Sequence, residues 1–248
     1  MALLNSQQLA NAKAIRSALE AQGITNQFAQ DAILVVSWKE TGLYPIVERC
    51  YNNTANSTIR RLFGIYVKDL SEEELTALKK DCVAFFNKVY GNRIGNSATE
   101  GYKYRGRSFI QITGKANYKN VGDAIGVDLV SDPDKLLQPA IASKSLAMFY
   151  KNRFASKTLS LYNVKNLNEF KDIDTALKAI FHLTAGEGNS QYKLFTEDST
   201  GGWKKVQDFK ERLLAELKQK TTEAPNYIIM LLIGLGLFGY ANRKMFKK

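Results

Sequence analysis

Two glutamates, Glu40 and Glu48, stand eight residues apart in unlike surroundings. Glu40, in Trp38-Lys39-Glu40-Thr41-Gly42, falls at the C-terminal end of an apolar helical stretch. Burial raises a carboxyl pKa, and the negative end of a helix dipole adds to that, so a carboxyl placed there is expected to keep its proton as a general acid must. Glu48 lies beyond the turn at Pro45, among polar residues, where it is expected to be ionised as a base requires. Two carboxyl groups on opposite sides of a cleft are the minimum equipment for cleaving a glycosidic bond. Other chemistries are poorly supplied. The single histidine, His182, and the two cysteines, Cys50 and Cys82, are too few for a zinc hydrolase, and neither HExxH nor GxSxG occurs. No metal or cofactor is called for, and His182 is expected to be structural. The cysteines are two buried thiols or one bridge, which their spacing does not decide.

The block that gives this pair a context is Val89-Tyr90-Gly91-Asn92-Arg93-Ile94-Gly95-Asn96, followed by Tyr102-Lys103-Tyr104-Arg105-Gly106-Arg107-Ser108-Phe109-Ile110-Gln111-Ile112-Thr113-Gly114-Lys115-Ala116-Asn117-Tyr118. It resembles the glycoside hydrolases of family 19, the chitinases and phage-type endolysins. Their signature is close to Y-R-G-R-G-x-I-Q-L-T-G-x-x-N-Y, preceded in the endolysin branch by N-R-x-G-N. Similarity extends through Ile125–Val130 and Asp132-Pro133-Asp134, and spans about residues 25–190. It implies a lysozyme-like, two-lobed helical domain with long cleft loops.

The residue types suit a sugar cleft. Gly106 lets backbone approach backbone, and Arg105 or Arg107 can hold a carboxylate by paired hydrogen bonds. Gln111 and Thr113 alternate with Ile110 and Ile112 as a short strand requires, pointing an amide and a hydroxyl into the cleft. Tyr102, Tyr104 and Tyr118 offer faces for pyranose rings, and Asn117 a bond to an N-acetyl or hydroxyl group. This ordered spacing argues against nucleic acid as the partner of the basic, aromatic loop. The resemblance implies Glu40 as general acid, Glu48 as general base, Thr113 as the residue that helps Glu48 position the attacking water, and Gln111, Asn117 and Tyr118 as substrate-binding residues. Lys39 stands where the family has a histidine. The family's later I-N-G-G motif is replaced by Leu183-Thr184-Ala185-Gly186-Glu187-Gly188-Asn189, without the asparagine at the expected place. These departures motivate a rival reading, a degenerate fold used to bind wall polymer. Retention of Glu40, Glu48, Gln111 and Thr113 favours an inverting hydrolase of a β-1,4-linked polymer containing N-acetylglucosamine, peptidoglycan before chitin.

The elements that must position these residues are mainly helical. Helices are predicted over 6–22, from a Thr25 or Asn26 cap to about Thr41 with Gly42 as the stop, and over 57–66 and 71–90, the last opened by a Ser71 cap and Glu72–Glu74. Residues 91–115 are predicted as loop with a short extended segment over Ser108–Thr113. Further helices are predicted over 115–125, 134–154, 169–185 and 203–220.

The chain has 248 residues and a formal charge of +11, of which +7 remains in residues 1–225. Such a surplus favours a polyanionic partner, here an acidic wall polymer. The opening MALLNSQQ has no basic n-region and too short an apolar run for a signal peptide. The organisation expected is a hydrolase domain over 1–220, a linker over 221–225, a transmembrane anchor over 226–241 and a basic tail over 242–248. No charge occurs from Asn226 to Ala241, Tyr227 and Tyr240 flank the run, and Arg243, Lys244, Lys247 and Lys248 follow. That pattern suits a membrane span with headgroup contacts, in a virion membrane or a host envelope, with the catalytic domain outside the cytoplasm. Gly234-Leu-Gly236-Leu-Phe-Gly239 spells GxGxxG, but no βαβ unit surrounds it, and small residues on a membrane helix explain it better.

Overall fold

A computed structural model of the chain describes residues 4–185, residue 193 and residues 202–222, with side chains to 218. Helix α1 runs Ser6–Ala21, opened by a capping box in which Asn5 and Gln8 each bond the other's backbone. Helix α2, Gln27–Thr41, is capped by the Asn26 side chain and stopped by Gly42 in the left-handed conformation at φ 64°. It is buried on all sides from Ala29 to Ser37, as its apolar run Ala32–Val36 demands of a central helix, while buried Gln30 and Asp31 are paired with Arg16 of α1. Helix α1 packs on α7 (Pro139–Lys151), while α2 packs on α8 (Ile173–Ala185) and α9 (Gly202–Thr222). Their inward residues form one core, including Ile15, Leu19, Ile33, Leu34, Leu146, Leu177, Ile180 and Leu213. Trp38 of α2 stacks on Phe209 of α9 with ring centroids 3.5 Å apart.

A smaller lobe is built from α3 (Asn56–Val67), α4 (Glu72–Lys80) and α5 (Cys82–Tyr90) around Ile59, Phe63, Leu75, Phe85, Phe86 and Val89. A disulfide joins Cys50 to Cys82 across 5.4 Å between Cα atoms, tying the chain before α3 to the first residue of α5. Between the lobes lies a two-stranded antiparallel ladder, β1 (Ile46–Val47) with β2 (Arg107–Ser108). Helix α6, Lys115–Ile125, follows it and buries Tyr118 against Tyr104, Ile112, Leu129 and Leu136.

Three predicted elements divide or shorten for local reasons. The helix expected over 71–90 breaks at Asp81, which adopts φ −100° and ψ 101° and accepts from the N–H groups of Val83 and Ala84 as the cap of α5. The helix expected over 134–154 becomes a 3-10 turn, Pro133–Leu137, followed by α7, because Pro139 forces Gln138 into extended backbone. The helix expected from 169 starts at Ile173, after a 3-10 turn over Leu167–Glu169. The extended segment Ser108–Thr113 is mostly turn. Ser108 and Gln111 have positive φ, 79° and 53°, and Arg107 bridges back to Ile112. Among the described residues no helix is long and apolar enough to cross a membrane. The expected linker, anchor and tail, 221–248, lie outside the described side chains, and 223–248 outside the described residues altogether.

Candidate active site

Glu48 is placed by the ladder. The register sets Ile46 opposite Ser108 and Val47 opposite Arg107, which brings Glu48 to Gly106. The Glu48 N–H donates to the Gly106 carbonyl at 2.8 Å, and the Gly106 N–H donates to Glu48 Oε2 at 3.1 Å. The Tyr51 and Tyr90 hydroxyls donate to Oε1 at 2.9 and 3.1 Å. Burial first, and the Glu48 charge second, push both phenols above the ordinary tyrosine range. They therefore remain donors throughout neutral pH, and the carboxylate is held in one orientation from three sides.

Gly106 explains the tightness of this arrangement. A Cβ there would lie 2.6 Å from Gln111 Oε1 and 3.3 Å from Glu48 Oε2. Gln111 itself clasps the hairpin, donating from Nε2 to the carbonyls of Ile46 and Ser108, each at 3.2 Å. The Thr113 hydroxyl donates to the Gln111 carbonyl at 3.0 Å, and Asn117 Nδ2 to the Thr113 carbonyl at 2.8 Å. Gln111, Thr113 and Asn117 thus form a hydrogen-bonded row leading from the Glu48 hairpin to exposed Asn117 at the start of α6. The row arises from a turn and a helix start rather than from strand alternation.

Glu40 sits at the end of α2 but is not buried. The unbroken buried run of α2 ends at Ser37; beyond it Trp38 still packs on the core and Thr41 is buried, while Lys39 and Glu40 lie on the outward face. The Glu40 side chain is 36% exposed, and its Oε1 is 2.6 Å from the Lys39 ammonium. Its charge reaches the buried phenol of Tyr150, which burial pushes upward and which pairs with Thr184 Oγ1 at 2.9 Å.

Other residues expected to meet substrate are placed in the framework instead. Tyr104 and Tyr118 are 1% and 0% exposed, so neither offers a ring face to a sugar. Tyr104 donates to the Val130 carbonyl at 3.0 Å and Tyr118 to the Arg105 carbonyl at 2.7 Å. Burial, against the opposing charge of Arg107, pushes the Tyr118 phenol up to about 12. Arg107 is also buried. It pairs with Asp134 at 2.8 Å and bonds the Lys103 and Arg105 carbonyls and the Tyr118 hydroxyl, pinning the loop rather than a carboxylate of the site. Arg105 stacks 3.9 Å above the Tyr102 ring and donates to the Tyr102 carbonyl at 2.8 Å. His182 is buried in α8, with its Nδ1 3.1 Å from the Tyr162 hydroxyl. Of the replaced cleft motif, residues 186–189 lie outside the described residues. No group of three histidine, cysteine or carboxylate side chains suited to a metal occurs among the described residues. Two surface recesses, one between α1, α2 and α9 and one between α1, α6 and α7, include none of these candidates.

Sequence reasoning missed Tyr51 and Tyr90 as partners of Glu48. Tyr51, three residues past Glu48, offered a signal; Tyr90 is brought in only by the packing of α5.

Residues 77–167 match the family model for class I chitinases of glycoside hydrolase family 19. A glycosyl hydrolase family 19 domain-containing protein of Haemophilus influenzae is 29% identical over 141 residues, covering 56% of this chain and 68% of its own. An acidic endochitinase of Solanum chilense is 35% identical over 104 residues, covering 36% of this chain and 41% of its own. The chain therefore spans less than half the length of that plant relative. A bacterial family 19 chitinase of known crystal structure covers 88% of each chain at 20% identity, with a TM-score of 0.42, too low to define the fold. The similarity to family 19 glycoside hydrolases is thus carried by residues 77–167, which include the Tyr104–Tyr118 block.

Proposed function

We propose that the chain is an inverting glycosidase that cleaves β-1,4 bonds in peptidoglycan. The observation that carries this reading is the Glu48 carboxylate, gripped by Tyr51, Tyr90 and the Gly106 N–H at the base of the family's own sequence block. A carboxylate fixed in this way can take a proton from a water that attacks the anomeric carbon. Glu40, at the end of a different element, protonates the leaving glycosidic oxygen. In the free chain Lys39 occupies Glu40, and the substrate's glycosidic oxygen replaces it in the working complex. Inversion requires about 6.5–9.5 Å between the carboxyls, with room for the water. Thr113, Gln111 and Asn117 line the approach, Thr113 accepting from the water through the lone pairs its bond to Gln111 leaves free.

Peptidoglycan is favoured by the +7 charge of residues 1–225 and by the Asn92-Arg93-Ile94-Gly95-Asn96 run. Chitin is the second reading, favoured by the endochitinases among the relatives. Attachment to a virion membrane or host envelope through 226–248, with the catalytic part outside the cytoplasm, completes the proposal. Its support is the uncharged run with its flanking tyrosines and cations, together with the Cys50–Cys82 bridge, which suits an oxidising compartment. The test is reducing-end release by the intact chain from purified sacculi and from chitin. Release from sacculi supports the reading, release from chitin alone moves the substrate to the second reading, and release from neither refutes it.

A further inference from the structure

The disulfide sits where it bears on the proposed base. Cys50 stands two residues after Glu48 and next to Tyr51, and Cys82 is the first residue of α5, the helix that ends at Tyr90. The bridge therefore joins the two segments whose phenols hold Glu48 Oε1, Tyr51 at 2.9 Å and Tyr90 at 3.1 Å. Helix α5 is nine residues long, so Cys82 and Tyr90 are the two ends of one rod of about 12 Å. The bond is also within reach of solvent: Cys50 is exposed and Cys82 half-buried. An exposed bridge is open to attack by an external thiolate, the property that separates labile disulfides from inert structural ones.

Two sets of contacts meet on the segment from Glu48 to Tyr51. On one side the Glu48 N–H donates to the Gly106 carbonyl at 2.8 Å and the Gly106 N–H to Glu48 Oε2 at 3.1 Å, at the end of a ladder two residues long. On the other the Tyr51 ring packs among Phe63, Phe85 and Phe86, with centroids 5.3, 5.3 and 6.0 Å away. Beyond it the Lys79 ammonium holds the Thr54 carbonyl. The Tyr90 ring stacks on Phe86 at 5.8 Å. These contacts hold the smaller lobe together without the bond. Apolar packing is non-directional and tolerates small shifts, whereas a hydrogen bond from a phenol to a carboxylate weakens steeply with distance and angle. The bridge and the rings thus do different work: the rings keep the lobe folded, and the bridge sets the register of two hydroxyls on one oxygen.

We propose that the Cys50–Cys82 bridge is a redox switch on the Glu48 site: hydrolysis is fast with the bond formed and slow with it open, while the chain stays folded in both states. The switch rests on the glycosidase reading of Glu48 and names how that site is regulated. Opening follows thiol–disulfide exchange. A thiolate of a dithiol reductant attacks one sulfur and the Sγ–Sγ bond breaks. A second thiolate of the same reductant then displaces the mixed disulfide. The reductant becomes a disulfide, and its two electrons and two protons end on the Cys50 and Cys82 thiols. Closure is the reverse, with an oxidant that carries a disulfide taking up the two electrons and two protons. A thiol-rich compartment therefore holds the hydrolase down and an oxidising one releases it. With the bond open, the Tyr51 and Tyr90 hydroxyls relax from Oε1, and Glu48 loses the orientation in which it meets the attacking water. A misplacement of about 1 Å is worth about 100-fold in rate.

The test uses the full-length chain on solubilised glycan at about 15 °C, near where folded proteins are most stable. The chain is assayed oxidised, after reduction by dithiothreitol, and after reoxidation by glutathione disulfide, with circular dichroism and a thiol count on each sample. On reduction kcat should fall about 10- to 100-fold and KM should change by less than about threefold, with the helical spectrum kept and the rate restored by reoxidation. The double variant Cys50→Ser, Cys82→Ser should match the reduced chain and ignore both reagents. Tyr51→Phe supplies a readout that a mere staple would not move. It should cost about fivefold or more in the oxidised chain and less than about twofold in the reduced one, where the hydrogen bond it deletes is already slack. Unchanged kcat on reduction, or equal cost of Tyr51→Phe in both states, overturns the switch and leaves the glycosidase reading intact. Loss of the helical spectrum on reduction also overturns it, making the bridge a staple of the fold. An oxidised wild type that cleaves no glycan overturns both.

Discussion

The carboxylate at Glu48 is held by donors from three different segments, and that distribution predicts how single substitutions behave. Glu48→Gln should lower kcat by about 10²–10⁴-fold, because the amide cannot accept a proton, and should lower the melting temperature as well, because its NH2 replaces one of the two oxygens that accept from Tyr51, Tyr90 and Gly106. Glu40→Gln should lose a similar factor by removing the proton donor. Steady-state rates on solubilised glycan, paired with thermal melts, check both. Gly106→Ala should damage activity more than its one carbon suggests, because the added Cβ would meet Gln111 Oε1 at 2.6 Å and crowd Glu48 Oε2. A variant with unchanged kcat would show that Glu48 and Gln111 can shift without cost. At this scale the sequence showed the two glutamates and the polar row Gln111, Thr113 and Asn117 by residue type and spacing. It misplaced Tyr104, Tyr118 and Arg107, since a tyrosine or arginine that clamps a loop from inside and one that faces a ligand are identical in sequence. It also expected a buried Glu40, whereas the unbroken buried run of α2 ends at Ser37 and Glu40 lies on the outward face.

The elements matter through the ladder and the loop that hold the site. The β1–β2 pair is two residues long on each side, so its geometry depends on the clasp by Gln111 and on the lobe that supplies Tyr51 and Tyr90. The Cys50–Cys82 bridge ties that lobe across 32 residues of sequence. Reduction should cost about 3–4 kcal/mol in the loop-entropy model and should lower activity along with the melting temperature, as read by calorimetry with and without reductant. Unchanged stability on reduction would show that the α3–α5 core holds the lobe unaided. The loop before α6 carries its own acid sensitivity. The Lys115 ammonium first, and the Ser97 N–H second, hold the Glu100 carboxyl down at about 2, against 4.5 for a free one. A depressed carboxyl pKa contributes stability that is fully present above the unfolded value and lost as pH falls toward the folded one. Stability should therefore decline between about pH 4.5 and 2, and Glu100→Gln should flatten that part of the curve in acid titrations followed by circular dichroism. The helices themselves were legible from caps and stops, as at Asn26, Ser71 and Gly42. The breaks at Asp81 and Pro139 were legible too, had the Asp cap and the proline been weighted above apolar periodicity.

At the scale of the whole molecule, two helical lobes meet at a short hairpin, and the proposed acid and base come from different elements: Glu40 from the end of α2 in the larger lobe, Glu48 from the residue after β1, gripped by Tyr51 and Tyr90 of the smaller. Truncation after Pro225 should leave a soluble, active protein, while the full chain should float with anionic liposomes, and neutralising Arg243, Lys244, Lys247 and Lys248 should weaken that flotation. Nine large apolar side chains between Ile228 and Phe238, each worth about 1.5–3 kcal/mol on burial, supply the drive. A full chain that stays in solution and unfolds on truncation would make the segment part of the core. The account's central claim, a single displacement by water activated at Glu48, is tested most directly by the anomeric configuration of the first product, followed by NMR during digestion of a β-linked glycan by the intact chain. The account predicts the α anomer, released before mutarotation. Initial release of the β anomer would contradict it.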